Sequence, residues 1–313
     1  MSASPNNHSF VFIIGSPRSG TTILGEILNK HNDISQWYEP YFVWDRSFRN
    51  RPDDERTAEE ATPNIIKQIN KDFLRYKKMT GSKIIVDKSP RNSLKIPFIR
   101  KIFPQARFIH ILRDGRDVTL SINKQWRFLK RITDDSKKSK ISYYRTAFEI
   151  TLEWLNKQPS YADKIRAFWF ETHGHMIDKS QHLNKTRWNG NIGWGPRFKG
   201  WQDVYYQSSV LQFNAYQWLK CIENIQKNWD EIAVENKIEI RYEKLISYGD
   251  KVITEILKFL DMEPHENFYS SIPKLKKNNS NKWRNEFTIE QLNDINPIIL
   301  PKLMELGYEV ISQ

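Results

Sequence analysis

Apolar positions along the chain fall into short continuous runs, and these alternate with longer stretches of helical spacing. Phe10-Val11-Phe12-Ile13-Ile14 is apolar throughout; Lys83-Ile84-Ile85-Val86-Asp87 and Arg107-Phe108-Ile109-His110-Ile111-Leu112 are nearly so. Runs of this length, rich in β-branched and aromatic residues, read as strands buried on both faces. Pro63 to Lys78 carries Ile65, Ile66, Ile69, Phe73 and Leu74 at helical spacing, and Ser93 to Phe103 and Arg116 to Phe128 read as further helices. Ile34 to Asp45 is aromatic-rich and reads as a short strand and loop. Later, Val210 to Trp229 is helical, Ile238 to Tyr242 is a strand, and Lys251 to Leu260 and Thr288 to Leu306 are amphipathic helices. Strands alternating with helices predict an α/β fold with a parallel sheet, whose ligands gather at the carboxyl ends of the strands.

Residues 130–209 are the least regular and hold Trp154, Trp169, Trp188, Trp194 and Trp201. This part reads as a mostly helical insertion that shapes a binding site, although ordinary packing accounts for most of the indoles. No Pro/Gly/Ser-rich linker and no internal repeat interrupts the chain. The reading is therefore a flexible polar tail, 1–9, and a single domain, 10–313.

Composition narrows the partners. The formal net charge of +12 fits an anionic ligand. The basic residues are scattered, so a solvated basic surface is expected, with no nucleic acid as partner. The single cysteine, Cys221, excludes an internal disulfide and a cysteine metal site, and reads as a core residue. No signal pattern and no run of about 18 apolar residues is present, so the expectation is a cytoplasmic protein without membrane insertion.

Chemistry concentrates after the first strand. Gly15-Ser16-Pro17-Arg18-Ser19-Gly20-Thr21-Thr22 joins a strand to a helix. Such a loop aims backbone N–H groups and a helix N-terminus at one point, which is how a fold holds a phosphate. It nearly fits G-x-x-x-x-G-K-[ST], but Thr21 stands where the lysine belongs, and Arg18 is the loop's cation. The second strand-end segment is Arg113-Asp114-Gly115-Arg116-Asp117-Val118-Thr119-Leu120-Ser121. There an arginine fork and a hydroxyl two turns later suit a second anion. A nucleoside-triphosphate kinase or hydrolase remains a rival, with Asp87 in the place of a magnesium-binding aspartate. A non-enzymatic polyanion binder would not need the loop. His110 lies inside a strand and reads as a core histidine. His173 and His175 read as loop residues that could line an acceptor pocket.

GSPRSGTT, RDGRDVTLS about ninety residues later, Arg241-Tyr242-Glu243-Lys244-Leu245, and Lys282-Trp283-Arg284-Asn285-Glu286-Phe287-Thr288 occur in that order. Together they resemble the sulfotransferases that use 3′-phosphoadenosine 5′-phosphosulfate (PAPS) and release the desulfated nucleotide (PAP). The motif style is nearest the tyrosylprotein and carbohydrate branches. The resemblance implies a three-layer α/β/α fold like that of P-loop NTPases, PAPS as cosubstrate, no metal, and an acceptor hydroxyl on a glycan, glycolipid, peptide or small molecule, with glycan or glycolipid favoured. It implies that Gly15, Pro17, Arg18, Ser19, Gly20, Thr21 and Thr22 hold the 5′-phosphosulfate. Arg113, Ser121, Tyr242, Lys276, Lys277 and Asn278 would complete the nucleotide site. Lys276-Lys277-Asn278 stands where cytosolic members have Arg-Lys-Gly, so a glycine is lost at Asn278. Cytosolic members also place a catalytic histidine two residues after a lysine; here the stretch is Asp87-Lys88-Ser89-Pro90, with Pro90 at the histidine position. Glu39-Pro40-Tyr41-Phe42 resembles the E-P-H-F stretch of glycosaminoglycan 3-O-sulfotransferases. The implied catalytic set is therefore Glu39 as base, with Lys88 and Arg18 at the leaving phosphate. Trp218 and Trp229 are candidates to stack on adenine.

Overall fold

A computed structural model describes residues 7–138, 156 and 194–309. Residues 1–6 of the expected tail lie outside the described residues. So does the expected insertion at 139–155 and 157–193, with Trp154, Trp169, Trp188, His173 and His175. Asn7–Ser9 form a short 3-10 turn, and the Lys77 ammonium donates to the Ser9 hydroxyl at 2.6 Å.

Five strands form one sheet: β1 (Phe10–Ile14), β2 (Ile34–Tyr38), β3 (Ile84–Lys88), β4 (Arg107–Leu112) and β5 (Lys237–Arg241). Their order is β2-β3-β1-β4-β5, and every neighbouring pair is parallel. The central strand explains the layering. Phe10, Phe12 and Ile14 point to one face and pack with Trp37, Phe73 and Phe103, while Val11 and Ile13 point to the other. Buried on both faces, β1 has no polar side, which is why its sequence is continuously apolar.

Helices cover both faces. α1 (Thr21–Leu28), α2 (Tyr41–Trp44), α3 (Pro63–Thr80), α4 (Ile96–Ile102) and α5 (Gly115–Lys138) fall in the first half. α6 (Trp201–Gln207), α7 (Val210–Trp229), α8 (Tyr242–Ser247), α9 (Gly249–Phe259), α10 (Phe268–Ser271), α11 (Trp283–Glu286) and α12 (Ile289–Glu305) follow. α5, α7 and α12 enclose a third core around Trp126, Phe213, Trp218 and Ile299. Helix starts are chemically marked: Thr62 accepts from the Ile65 amide with Pro63 in the first turn, and Ser209 and Thr288 open full capping boxes with Gln212 and Gln291.

Three boundaries differ from the sequence reading, the first being that α5 runs to Lys138, ten residues past the expected end at Phe128. The stretch 93–103 is a 3-10 turn, Pro90–Leu94, followed by α4, broken at Lys95 (φ −139°). Lys95 is buried beside Asp45 at 3.5 Å and turns inward, which bends the chain away from one continuous helix. The passage after β2 closes as helix α2 because Phe42, Val43 and Trp44 are all buried.

Candidate active site

All five strands point their carboxyl ends to one edge, and the motif residues gather there. β1 hands the chain to Gly15, where the loop is clasped from below by Ser93. The Gly15 amide donates to the Ser93 hydroxyl and that hydroxyl donates to the Gly15 carbonyl, both at 2.9 Å. Ser19 folds back, its hydroxyl donating to the Ser16 carbonyl at 2.6 Å. Gly20 has φ 105° and sits so close to Tyr242 that a Cβ would fall 2.4 Å from the phenol ring; only glycine fits. It begins α1 without a side-chain cap, so the first amides of the helix are left for whatever the loop holds. Thr21 is buried and Thr22 half-buried at that helix start.

Two guanidiniums flank the loop. Arg18, with φ 67°, donates from Nε to the Ser121 hydroxyl at 2.9 Å. Arg113, nine-tenths buried, donates from Nη1 to the Arg18 carbonyl at 2.9 Å and from Nη2 to the Asn279 carbonyl. Its Cζ lies over the Tyr242 ring, 4.4 Å from the centroid. Its Nε is buried and has no hydrogen-bond partner among the described residues. Burial first, and the charge of Arg113 second, pull the Arg18 guanidinium below its ordinary value. The pair thus holds excess positive charge that an anion would relieve.

On the other side of β1, the end of β3 carries Lys88. Its side chain is 1% exposed, and its ammonium lies 2.6 Å from Glu39 Oε1 and 3.8 Å from the Tyr38 ring centroid. Glu39 follows β2 at φ 44°, a left-handed conformation that costs about 1–3 kcal/mol. Its amide donates to the Lys88 carbonyl at 3.2 Å, and its own carbonyl accepts from the Tyr41 amide at 2.7 Å. The Glu39 side chain keeps 19% of its surface, so the carboxylate faces both the buried ammonium and the open edge.

The segment after α10 completes the Arg113 side. Lys276 and Asn278 are exposed, beside the Asn279 carbonyl that Arg113 grips. Lys277 opens the 3-10 turn Lys277–Asn279. Asn278 adopts φ −83°, so the glycine absent there is not required for backbone conformation.

Other residues take structural posts. Asp87 is fully buried and accepts from the Trp44 indole at 2.7 Å and the Ser89 hydroxyl at 2.6 Å, so its oxygens are engaged inside the core. His110 is buried with Nδ1 2.9 Å from Glu239, as a core histidine. Trp218 is fully buried, donates to the Arg113 carbonyl at 3.2 Å and packs under Gly115. It supports Arg113 from beneath and, fully buried, cannot stack on adenine. Trp229 packs by His110 and Lys237, the latter at the amino end of β5. Trp201 is core, its indole donating to the Pro52 carbonyl at 2.7 Å. Ser93 and Asp117, which touch Gly15 and Arg113, are neighbours that the sequence motifs did not single out. Ser93 carries no local signal, while Asp117 lies inside a motif read for its arginine and serine.

A family profile described as "Sulfotransferase family" matches residues 10–171, more than half of the chain. Nodulation protein NoeE of Sinorhizobium fredii is 25% identical over 130 residues, covering 37% of this chain and 31% of that protein. Protein-tyrosine sulfotransferase 1 of Danio rerio is 29% identical over 117 residues, 34% of this chain and 33% of that protein. This chain therefore matches about a third of the length of these curated relatives. Among solved structures, the sulfotransferase domain from the Synechococcus PCC 7002 olefin synthase superposes with TM-score 0.54 at 15% identity, covering 96% of this chain and 95% of that one. The sulfotransferase domain from the curacin biosynthetic pathway gives TM-score 0.53 at 13% identity, covering 96% and 98%. The parallel sheet, its loop and its flanking helices are thus an architecture shared with sulfotransferase domains, and the chain belongs to the sulfotransferase family.

Proposed function

We propose that this protein transfers a sulfuryl group from PAPS to an acceptor hydroxyl and releases PAP. The observation that best supports this reading is the paired guanidiniums of Arg18 and Arg113, beside a phosphate loop that lacks the triphosphate-binding lysine. The loop amides with Ser19, Thr21 and Thr22 hold the 5′-phosphate. Arg113 and Ser121, joined by Lys276 and the 277–278 backbone, read the 3′-phosphate. Lys88 approaches from β3 to the place a loop lysine would serve, and meets the oxygen that leaves sulfur.

Glu39 takes the acceptor's proton as the acceptor oxygen bonds to sulfur. The bond from sulfur to the bridging phosphate oxygen breaks, and its electron pair stays on the phosphate. Lys88 and Arg18 are fixed to meet that charge, so little reorganisation is needed at the moment of transfer. The shared contact at 2.6 Å lets the Lys88 ammonium orient the base while it waits on the leaving oxygen.

A hydroxyl acceptor agrees with the names of two relatives, a protein-tyrosine sulfotransferase and an omega-hydroxy-beta-dihydromenaquinone-9 sulfotransferase. A glycan or glycolipid hydroxyl is the acceptor class proposed here. Isotopically labelled PAPS offered with glycans, glycolipids, tyrosine peptides and phenols, with mass detection of product, tests it. Thermal shift with PAP, ATP and ADP, each with and without magnesium, tests the nucleotide. Stabilisation by PAP without metal is expected, and larger stabilisation by magnesium-ATP would overturn the reading in favour of an NTPase.

A further inference from the structure

Arg113, just after β4, is followed at four-residue steps by Asp117 and Ser121, and these two share one face of α5. Two of the three suit a phosphate, but the middle one is a carboxylate, which would repel it. The Asp117 side chain is wholly buried, and its oxygens are already engaged. Oδ2 accepts from the Asn281 amide at 2.8 Å, and Oδ1 accepts from the Trp283 amide at 3.1 Å. Oδ2 also lies 3.5 Å from Arg113 Nη2, the nitrogen that donates to the Asn279 carbonyl. These partners belong to the distant segment 279–283, so Asp117 is no cap of its own helix. Asn281 itself is held at φ 58°. A carboxylate accepting two amides and facing a guanidinium is a strong, directional anchor.

We infer that Asp117 is a positioning residue of the nucleotide site: it pins residues 276–283 across Arg113 and so fixes the geometry in which the 3′-phosphate is gripped. This inference rests on the PAPS reading for its ligand, but the anchoring itself is independent of it. The sign of one measurement separates anchoring from plain electrostatics. Removing a negative charge beside an anion site strengthens anion binding if charge alone matters. Removing an anchor weakens it.

The test is titration of PAP and of adenosine 5′-monophosphate, which lacks the 3′-phosphate, against wild type, Asp117→Asn and Asp117→Ala. Hydrogen exchange of 276–283 is followed in the same proteins. PAP binding is expected to weaken about tenfold or more in Asp117→Ala, the scale seen when a group that orients a ligand contact is lost. Adenosine 5′-monophosphate binding is expected to change less than about threefold, with faster exchange confined to 276–283. If Asp117→Ala does not fold, Asp117→Asn carries the same comparison, since it keeps the volume and removes one acceptor. Unchanged or tighter PAP binding in a folded variant overturns the inference. If wild type does not prefer PAP to adenosine 5′-monophosphate, the PAPS reading has failed. Exchange at 276–283 then decides the anchor by itself: faster in the variant supports it, unchanged overturns it.

Discussion

Asp87 offers a sharp test of how this core is built. Its carboxyl sits at the end of β3 with no exposed surface, and burial pushes it up from the ordinary carboxylate range to about 6. The Ser89 hydroxyl, the Trp44 indole and the Lys95 charge pull the other way without winning. The shift is about two units, or about 3 kcal/mol at ~1.4 kcal/mol per unit. A raised folded value means the folded state binds this proton more tightly than the unfolded chain. The contribution to stability is therefore fully present below about pH 4, declines as pH rises through about 6, and is flat above. Asp87→Asn keeps the shape and an acceptor for Trp44 or Ser89, and removes the ionisation. Urea unfolding of both proteins from about pH 4 to 7.5 isolates the group, because every other titration is common to the two and cancels. The stability of Asp87→Asn relative to wild type is expected to rise by about 2–3 kcal/mol across that range. A difference that stays constant within about 0.5 kcal/mol would refute the assignment of a buried, high-affinity proton at this site.

Three further outcomes concern the edge of the sheet. Glu39→Gln keeps the contact to Lys88 but cannot take a proton; turnover is expected to fall on the order of a hundredfold with PAP affinity nearly intact, and near wild-type turnover rejects Glu39 as base. Arg113→Ala is expected to weaken PAP by roughly 2–4 kcal/mol and adenosine 5′-phosphosulfate far less; equal losses in calorimetric titration would make Arg113 a scaffold residue. Gly20→Ala places a methyl 2.4 Å from Tyr242 at φ 105°. It is expected to lower stability by about 1–3 kcal/mol in urea unfolding, and an unaltered midpoint would contradict the packing described.

Local pattern carried the fold a long way. β1, β3 and β4 are continuous apolar runs because both faces are covered, and the glycine loop after β1 has a chemical signature of its own. The same reading treated Asp87 as a potential ion ligand, since a strand-end aspartate looks alike whether it faces solvent or an indole. Trp44, 43 residues away in sequence, decides which. Lys88 shows the reverse: a lysine after an apolar strand looks superficial, yet it is buried against Tyr38 of β2 and Gly25 of α1, with its ammonium on Glu39. Trp218 is one of two candidate adenine stackers in the sequence because an indole's partner is invisible along one helix; the structure gives it the Arg113 carbonyl. In each case the deciding contact is remote in sequence, and no spacing rule encodes it.

The hydrogen bonds of Arg113 have a consequence for how this site comes into being. One reaches back 95 residues to Arg18, and the other reaches forward 166 residues to Asn279. The loop and its Ser93 clasp therefore leave the ribosome well before the segment that Arg113 grips on its far side. Contacts of such long separation must close their loops late, after the local helices have formed. Throughout that interval Arg113 can meet its near partner but has no far one. The grip of Arg113 is thus completed only in the step that seats 276–283. A ligand that needs both contacts of Arg113 stabilises only the completed arrangement.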